Sequence, residues 1–274
     1  MRIEPPYPSI EEIMGFIGEA GQRLAEIGAS EGAAGNISVY MGWDVDPTGH
    51  FPDVEPFILP TAAPELAGFQ FLVTGSGRRL REVARDPQAN LGVVRVEEGG
   101  KTASLFTSPR RLFQKLTTEF NSHLAVHRDQ ISHNNLNFHA VIHAQPMHAV
   151  YLSHINRYQD TRYFSRHVLR WQPESIVNIP EGIALLPFIL PGSPELMLAT
   201  IKAMREHQIV LWGKHGVIVR SDISVKRACD LVEYAETGAR YEYLNLTNHG
   251  LADGLTPSEM RMLCDSLGLE QKIF

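Results

Sequence analysis

Cysteine is nearly absent from this chain, with two in 274 residues. Neither Cys229 nor Cys264 sits in a C-x-x-C pair, so no disulfide framework is expected and a reducing, cytoplasmic setting is favoured. Long apolar runs are also missing. Nothing approaches the roughly 18 residues that a membrane span needs, and the opening MRIEPPYPSIEE lacks the basic start and apolar run of a signal peptide. Charge of one sign does not accumulate either: 25 Lys and Arg are interspersed with 31 Asp and Glu, for a net charge of −6. That balance offers nothing to a nucleic-acid backbone. No repeat, linker or low-complexity run divides the chain, so residues 1–274 read as one domain. What is present is a composition of 43 % hydrophobic and 20 % charged residues, enough for a core, and twelve histidines that raise the question of a metal.

Local patterns mix the helical and extended periods, which implies an α/β fold. Ser9-Ile-Glu-Glu12 is a capping box. Ile10, Ile13, Ile17, Ala20, Leu24 and Ile27 follow at helical spacing, and Gly28 ends the run. The turn EGAAG leads into the β-rich NISVYM. Residues 42–68, with many prolines and no period, predict a long surface loop. Strands are expected over 69–74 and 90–96, and a helix over 112–128 with Leu112, Leu116, Phe120 and Leu124 on one face. A short buried strand over 140–142 ends at His143. Ser193-Pro194 opens a helix in N-cap and N1 order. Strands over 209–212 and 217–219 flank Gly213-Lys-His-Gly216, a long helix covers 225–246, and Thr256 with Glu259 caps a last one.

Three polar groups stand beside apolar elements. His143 ends Ala-Val-Ile-His, and Gln145 follows two residues later, so in extended chain the two address one side. His215 lies in a tight turn whose glycines allow close backbone approach. Glu119 falls on the polar side of the 112–128 helix. Two imidazoles with an amide or carboxylate oxygen form a plausible divalent-metal set, and the nitrogens favour zinc. A competing pattern is Glu119, His123 and His127, which recur every four residues on one helix face. That row reads either as a metal-binding face or, more often, as a solvated polar face. His133, His139, His148 and His154 show no coherent spacing and are expected at the surface or core edge. Thr74-Gly-Ser-Gly77 after a strand is an anion-binding candidate through its backbone N–H groups and hydroxyls, though not a P-loop or a dinucleotide fingerprint.

Taken in order, Ala34-Gly-Asn36, FLVTGSGRRLREV, DPQANLGVVRV, Thr118-Glu119 with His123, VIHAQP, IPEGIALLPFILPG and IVLWGKHGV resemble the class II (metal-dependent) aldolase family from about residue 10 to about residue 265. The resemblance implies a central, mainly antiparallel sheet flanked by helices. It also implies a homotetramer with active sites near subunit boundaries, and one divalent metal per subunit: zinc first, with Mn, Co or Fe as alternatives. The family's three histidine ligands match His143, Gln145 and His215, so the middle position departs from the pattern. The family's catalytic glutamate matches Glu119, and its phosphate pocket matches Asn36, Ser76, Gly77 and Thr118, with Ala33 where an asparagine is usual. A glutamate supplied near residue 170 by a neighbouring subunit has Glu174 as its nearest counterpart. The implied activity is retro-aldol cleavage of a ketose 1-phosphate through a metal-stabilised enediolate. Epimerisation, dehydration or decarboxylation of a sugar phosphate, and a metal-free binding module of the adducin type, are the alternatives.

Overall fold

A computed structural model describes residues 2–274. Nine strands form one sheet: β1 (Asn36–Met41), β2 (Asp53–Ile58), β3 (Gln70–Thr74), β4 (Leu91–Val96), β5 (Thr102–Thr107), β6 (Phe138–Ala144), β7 (Ile183–Leu186), β8 (Ile209–Trp212) and β9 (Gly216–Ser221). Their spatial order is β2-β5-β4-β3-β1-β6-β9-β8-β7. Every pairing is antiparallel except β7 with β8. The mainly antiparallel sheet flanked by helices is therefore as expected.

The helices are α1 (Ile10–Glu26), α2 (Leu80–Val83), α3 (Pro87–Asn90), α4 (Phe120–Asn134), α5 (Met147–Ser153), α6 (Thr161–Leu169), α7 (Pro173–Asn178), α8 (Pro194–Met204), α9 (Val225–Thr247) and α10 (Pro257–Leu267). Both expected capping boxes form, at Ser9 and at Thr256. Alternation along the central strands divides the core in two. Ile37, Val39, Ala140 and Ile142 pack with residues of α1 and α9 on one face. Tyr40 packs with Phe120 and Leu124 of α4 on the other face, where Val141 and Trp212 join Leu196 of α8. β6 is buried along its whole length, as a strand covered on both faces must be.

Three expectations are corrected. Residues 42–68 are not all loop, because β2 pairs with β5 from Asp53↔Thr107 to Ile58↔Thr102. As an edge strand it accepts Pro56 and stays largely exposed, with no residue buried, so no buried apolar face announces it. The helix expected from 112 begins only at Phe120. The 112/116 spacing mimics helical period, yet Leu112 is 62 % exposed. Leu116 makes a β-bridge with Gly75, and Phe113 fills the space beside that glycine. Backbone bonds Ser76 N→Lys115 O and Thr117 N→Thr74 O tie the segment to the turn after β3 rather than to its own helix. The 90–96 strand starts one residue late because Asp86 caps a short turn of helix over Pro87–Asn90.

Candidate metal centre and anion pocket

The start of β1, the end of β6 and the β8–β9 turn meet the N-cap of α4 at one end of the central strands. Asn36 and His143 are direct cross-strand partners. Glu119, now the N-cap position of α4 rather than a mid-helix residue, lies over them with its carboxylate buried. Its Oε2 stands 3.5 Å from His143 Nε2, and its Oε1 stands 3.3 Å from His215 Nε2. Asn36 Nδ2 donates to Glu119 Oε2 at 2.7 Å. Among the described residues Glu119, His143 and His215 form the one group of potential ligands, with donor atoms within 4.8 Å of one another.

The protonation pattern suits a cation. His143 Nδ1 donates to the carbonyl of Val217 at 2.9 Å. A carbonyl only accepts, so Nδ1 carries the hydrogen and Nε2 presents a lone pair to the cluster. Burial holds His215 below the ordinary imidazole range, with His143 adding to the shift and Glu119 opposing it. Both imidazoles stack on Trp212, at centroid distances of 5.0 and 5.3 Å, and Trp212 Nε1 donates to Thr200 Oγ1. Sequence reasoning missed Trp212. Its only signal was its position as the last residue of the strand before Gly-Lys-His-Gly. Two imidazole nitrogens beside a carboxylate, with donor atoms within 4.8 Å of one another, are a donor set that fits a divalent metal.

Gln145 shares the side of His143, as alternation predicts, and both line a cavity of about 210 Å³. Gly216 makes room for them: a Cβ there would lie 2.7 Å from the His143 ring and 3.2 Å from Gln145 Cγ. The same cavity is lined by Asn36, Ser76, Gly77, Thr118 and Glu119, so all four residues matched to a phosphate pocket share it with Glu119 and His143 of the metal group, while His215 is not among its lining residues. Ala33 lines it too. The turn Thr74–Gly77 offers fewer free donors than expected, since the N–H groups of Gly75, Ser76 and Arg78 go to Asn90, Lys115 and Gly75 carbonyls. The Ser76 hydroxyl and Gly77 remain. Gly77 has φ +70° and open space around its α-carbon, a conformation and a vacancy a side chain would forfeit.

The row Glu119, His123, His127 separates. Glu119 joins the metal group, whereas His123 and His127 are fully buried against Ser38. They are neither a solvated face nor part of the ligand group. His139 is interior and meets His127, against the expectation of a surface or core-edge position, whereas His133 and His154 are exposed and His148 is half-buried on Glu236, as expected. Glu174 is exposed in the first turn of α7 and is not among the residues lining the cavity.

The Class II Aldolase and Adducin N-terminal domain family matches residues 17–243. Rhamnulose-1-phosphate aldolase of Listeria monocytogenes is 28 % identical over 256 residues, covering 91 % of this chain and 90 % of that protein. The crystal structure of a sugar-phosphate aldolase from Thermotoga maritima superposes with a TM-score of 0.72 at 28 % identity, over 87 % of this chain and 97 % of that one. A Klebsiella pneumoniae protein described as an aldolase/epimerase/decarboxylase shares the fold, with a TM-score of 0.64 at 20 % identity over 94 % of this chain and 100 % of that one.

Proposed function

This chain belongs to the Class II Aldolase and Adducin N-terminal domain family, and from that premise we propose that it is a metal-dependent aldehyde-lyase cleaving a ketose 1-phosphate of the rhamnulose 1-phosphate type. The observation that carries this reading is the buried carboxylate of Glu119 set between two imidazole nitrogens, at the inner end of a cavity lined by small polar groups. A metal-free binding module gains nothing from burying a carboxylate there, which favours the enzyme.

The roles follow from position. His143 and His215 hold the ion, Gln145 contributes a neutral oxygen from the same side, and zinc is the ion that two nitrogens favour. When bound, the ion supplies Lewis-acid stabilisation of the oxygen that gains charge as the carbon–carbon bond breaks. Glu119 takes the proton from the substrate hydroxyl adjoining that bond and returns a proton to carbon afterwards. The amide of Asn36 holds Oε2 and so orients the carboxylate. Asn36, Ser76, Gly77 and Thr118 bind the phosphate, with Ala33 removing one hydrogen bond. Glu174, exposed on α7, would meet the aldehyde end of the substrate only from a neighbouring subunit, and exposed Phe188 and Leu190 support a subunit interface of the tetramer. Two buried free cysteines support a reducing, cytoplasmic setting; no helix is long and apolar enough to cross a membrane.

Elemental analysis together with incubation on a panel of ketose 1-phosphates tests the reading. Expected are about one divalent metal per chain and release of dihydroxyacetone phosphate. A protein that holds no metal, and gains none on soaking with Zn²⁺, overturns it.

A further inference from the structure

Helix α4 is poor in apolar residues, yet eleven of its fifteen residues are buried. Its polar groups must therefore find partners on the sheet. β1 turns Asn36 and Ser38 toward it, and α4 turns Glu119, His123 and His127 toward β1 on successive turns. Asn36 takes Glu119. Ser38 Oγ lies 2.8 Å from His123 Nδ1 and 2.7 Å from His127 Nε2. His127 Nδ1 lies 2.8 Å from His139 Nδ1 on β6. Ser38, His123, His127 and His139 all have zero exposure.

We propose that Ser38 is a positioning residue for Glu119: its hydroxyl bridges two turns of α4 and sets the depth and rotation at which the head of that helix meets Asn36, His143 and His215. The proposal rests on Glu119 being the base of the reaction proposed above. Apolar contacts let a helix slide by fractions of an ångström, whereas hydrogen bonds to a central strand are directional. The chain is also cooperative. Each neutral imidazole has one N–H and the serine one O–H, so the links must all run the same way. Either His139 donates to His127, His127 to Ser38 and Ser38 to His123, or every step is reversed. Removing the hydroxyl leaves a buried imidazole nitrogen unpaired on each side of it, which releases both turns together. The arrangement holds rather than conducts, because His139 Nε2 is buried with no hydrogen-bond partner and closes the far end.

The test compares Ser38→Ala and Ser38→Thr in the full-length, metal-loaded protein. Ser38→Ala is expected to lower kcat about 10- to 100-fold, with KM within about twofold of wild type and metal content unchanged; Ser38→Thr restores most of kcat because it keeps the hydroxyl. Wild-type kcat in Ser38→Ala, or equal losses in folded, metal-replete Ser38→Ala and Ser38→Thr, overturns the proposal. Should Ser38→Ala fail to fold, Ser38→Cys keeps the bulk while weakening both bonds, and the same criteria apply. A crystal structure of the variant gives a readout that needs no substrate. The Glu119–His143 and Glu119–Asn36 separations should lengthen by up to about 1 Å, and unchanged separations overturn the proposal. A wild-type protein that turns over no ketose 1-phosphate would count against the proposed reaction, while this geometric comparison would still decide the role of Ser38.

Discussion

Two histidine clusters share the α4-facing side of the sheet, a few residues apart, and they do opposite things. At the cavity end, His143 spends its Nδ1–H on a backbone carbonyl and leaves Nε2 facing a carboxylate and open space. At the interior end, one nitrogen of His123, both of His127 and one of His139 go to Ser38 and to one another, and Nε2 of His123 and of His139 stays buried without a partner. Residue type does not separate the two, nor does spacing. What separates them is what the other nitrogen is bonded to and whether a carboxylate and a cavity lie in front. A histidine anchored by a carbonyl is prepared for a cation, and a histidine bonded to a serine and another histidine is prepared to hold a helix.

The largest expected effect lies at the cavity end. Glu119→Gln keeps the size and the bond from Asn36 in altered form but removes the base. It should lower kcat about 10²- to 10⁴-fold, equivalent to about 3–5 kcal/mol of transition-state stabilisation, with metal content unchanged. Turnover with elemental analysis checks both halves. Loss of metal along with activity would instead put Glu119 among the ligands.

The interior end makes its own prediction about acid. Burial holds His139 down at about 3, with Arg220 and His123 adding to the shift. His123 and His127 are held well below the usual imidazole range, also chiefly by burial. Their folded values lie below the unfolded one near 6.5, so the unfolded chain binds more protons as pH falls under that value, and stability is lost in the same direction. Each group contributes up to about 1.4 kcal/mol per pH unit, and three together roughly 4 kcal/mol per unit at their steepest. For His139 the window runs from about 6.5 down to about 3. Denaturant titrations at pH 7.5, 6 and 5 should show unfolding free energy falling on acidification. His139→Gln should flatten the slope by about one proton. An identical slope in that variant would mean that His139 is protonated inside the fold.

The contrast also marks how far the sequence is readable. Capping boxes at Ser9 and Thr256, the buried run of β6 and the Gly-Lys-His-Gly turn obey local rules, and the structure has them where expected. The start of α4 was illegible because Leu112 and Leu116 carry helical spacing for a non-helical reason, the bridge to Gly75. Strand β2 was illegible because an edge strand with a proline needs no apolar pattern. At the site, the pairing of His143 with His215 became legible only through the order of motifs along the whole chain. Ser38 was illegible altogether: a serine in NISVYM looks like filler until His123 and His127 are brought over it. Partners far apart in sequence leave no period behind.

The smallest expected effect concerns Gln145, the residue that departs from an all-histidine ligand set. Its side chain lies on the side of His143, with Cγ 3.2 Å from where a Cβ on Gly216 would stand, and it borders the cavity. An amide oxygen is harder and less basic than an imidazole nitrogen, so a third imidazole should favour zinc over Mn²⁺. Gln145→His is therefore expected to lower the Kd for Zn²⁺ roughly tenfold, measured by chelator competition, with little change for Mn²⁺. Gly216 leaves space for the ring, since no Cβ stands between the two side chains. An unchanged zinc Kd would place Gln145 beyond direct contact with the ion, leaving Glu119, His143 and His215 as the group that holds it and shifting the division between ligand and base by one residue.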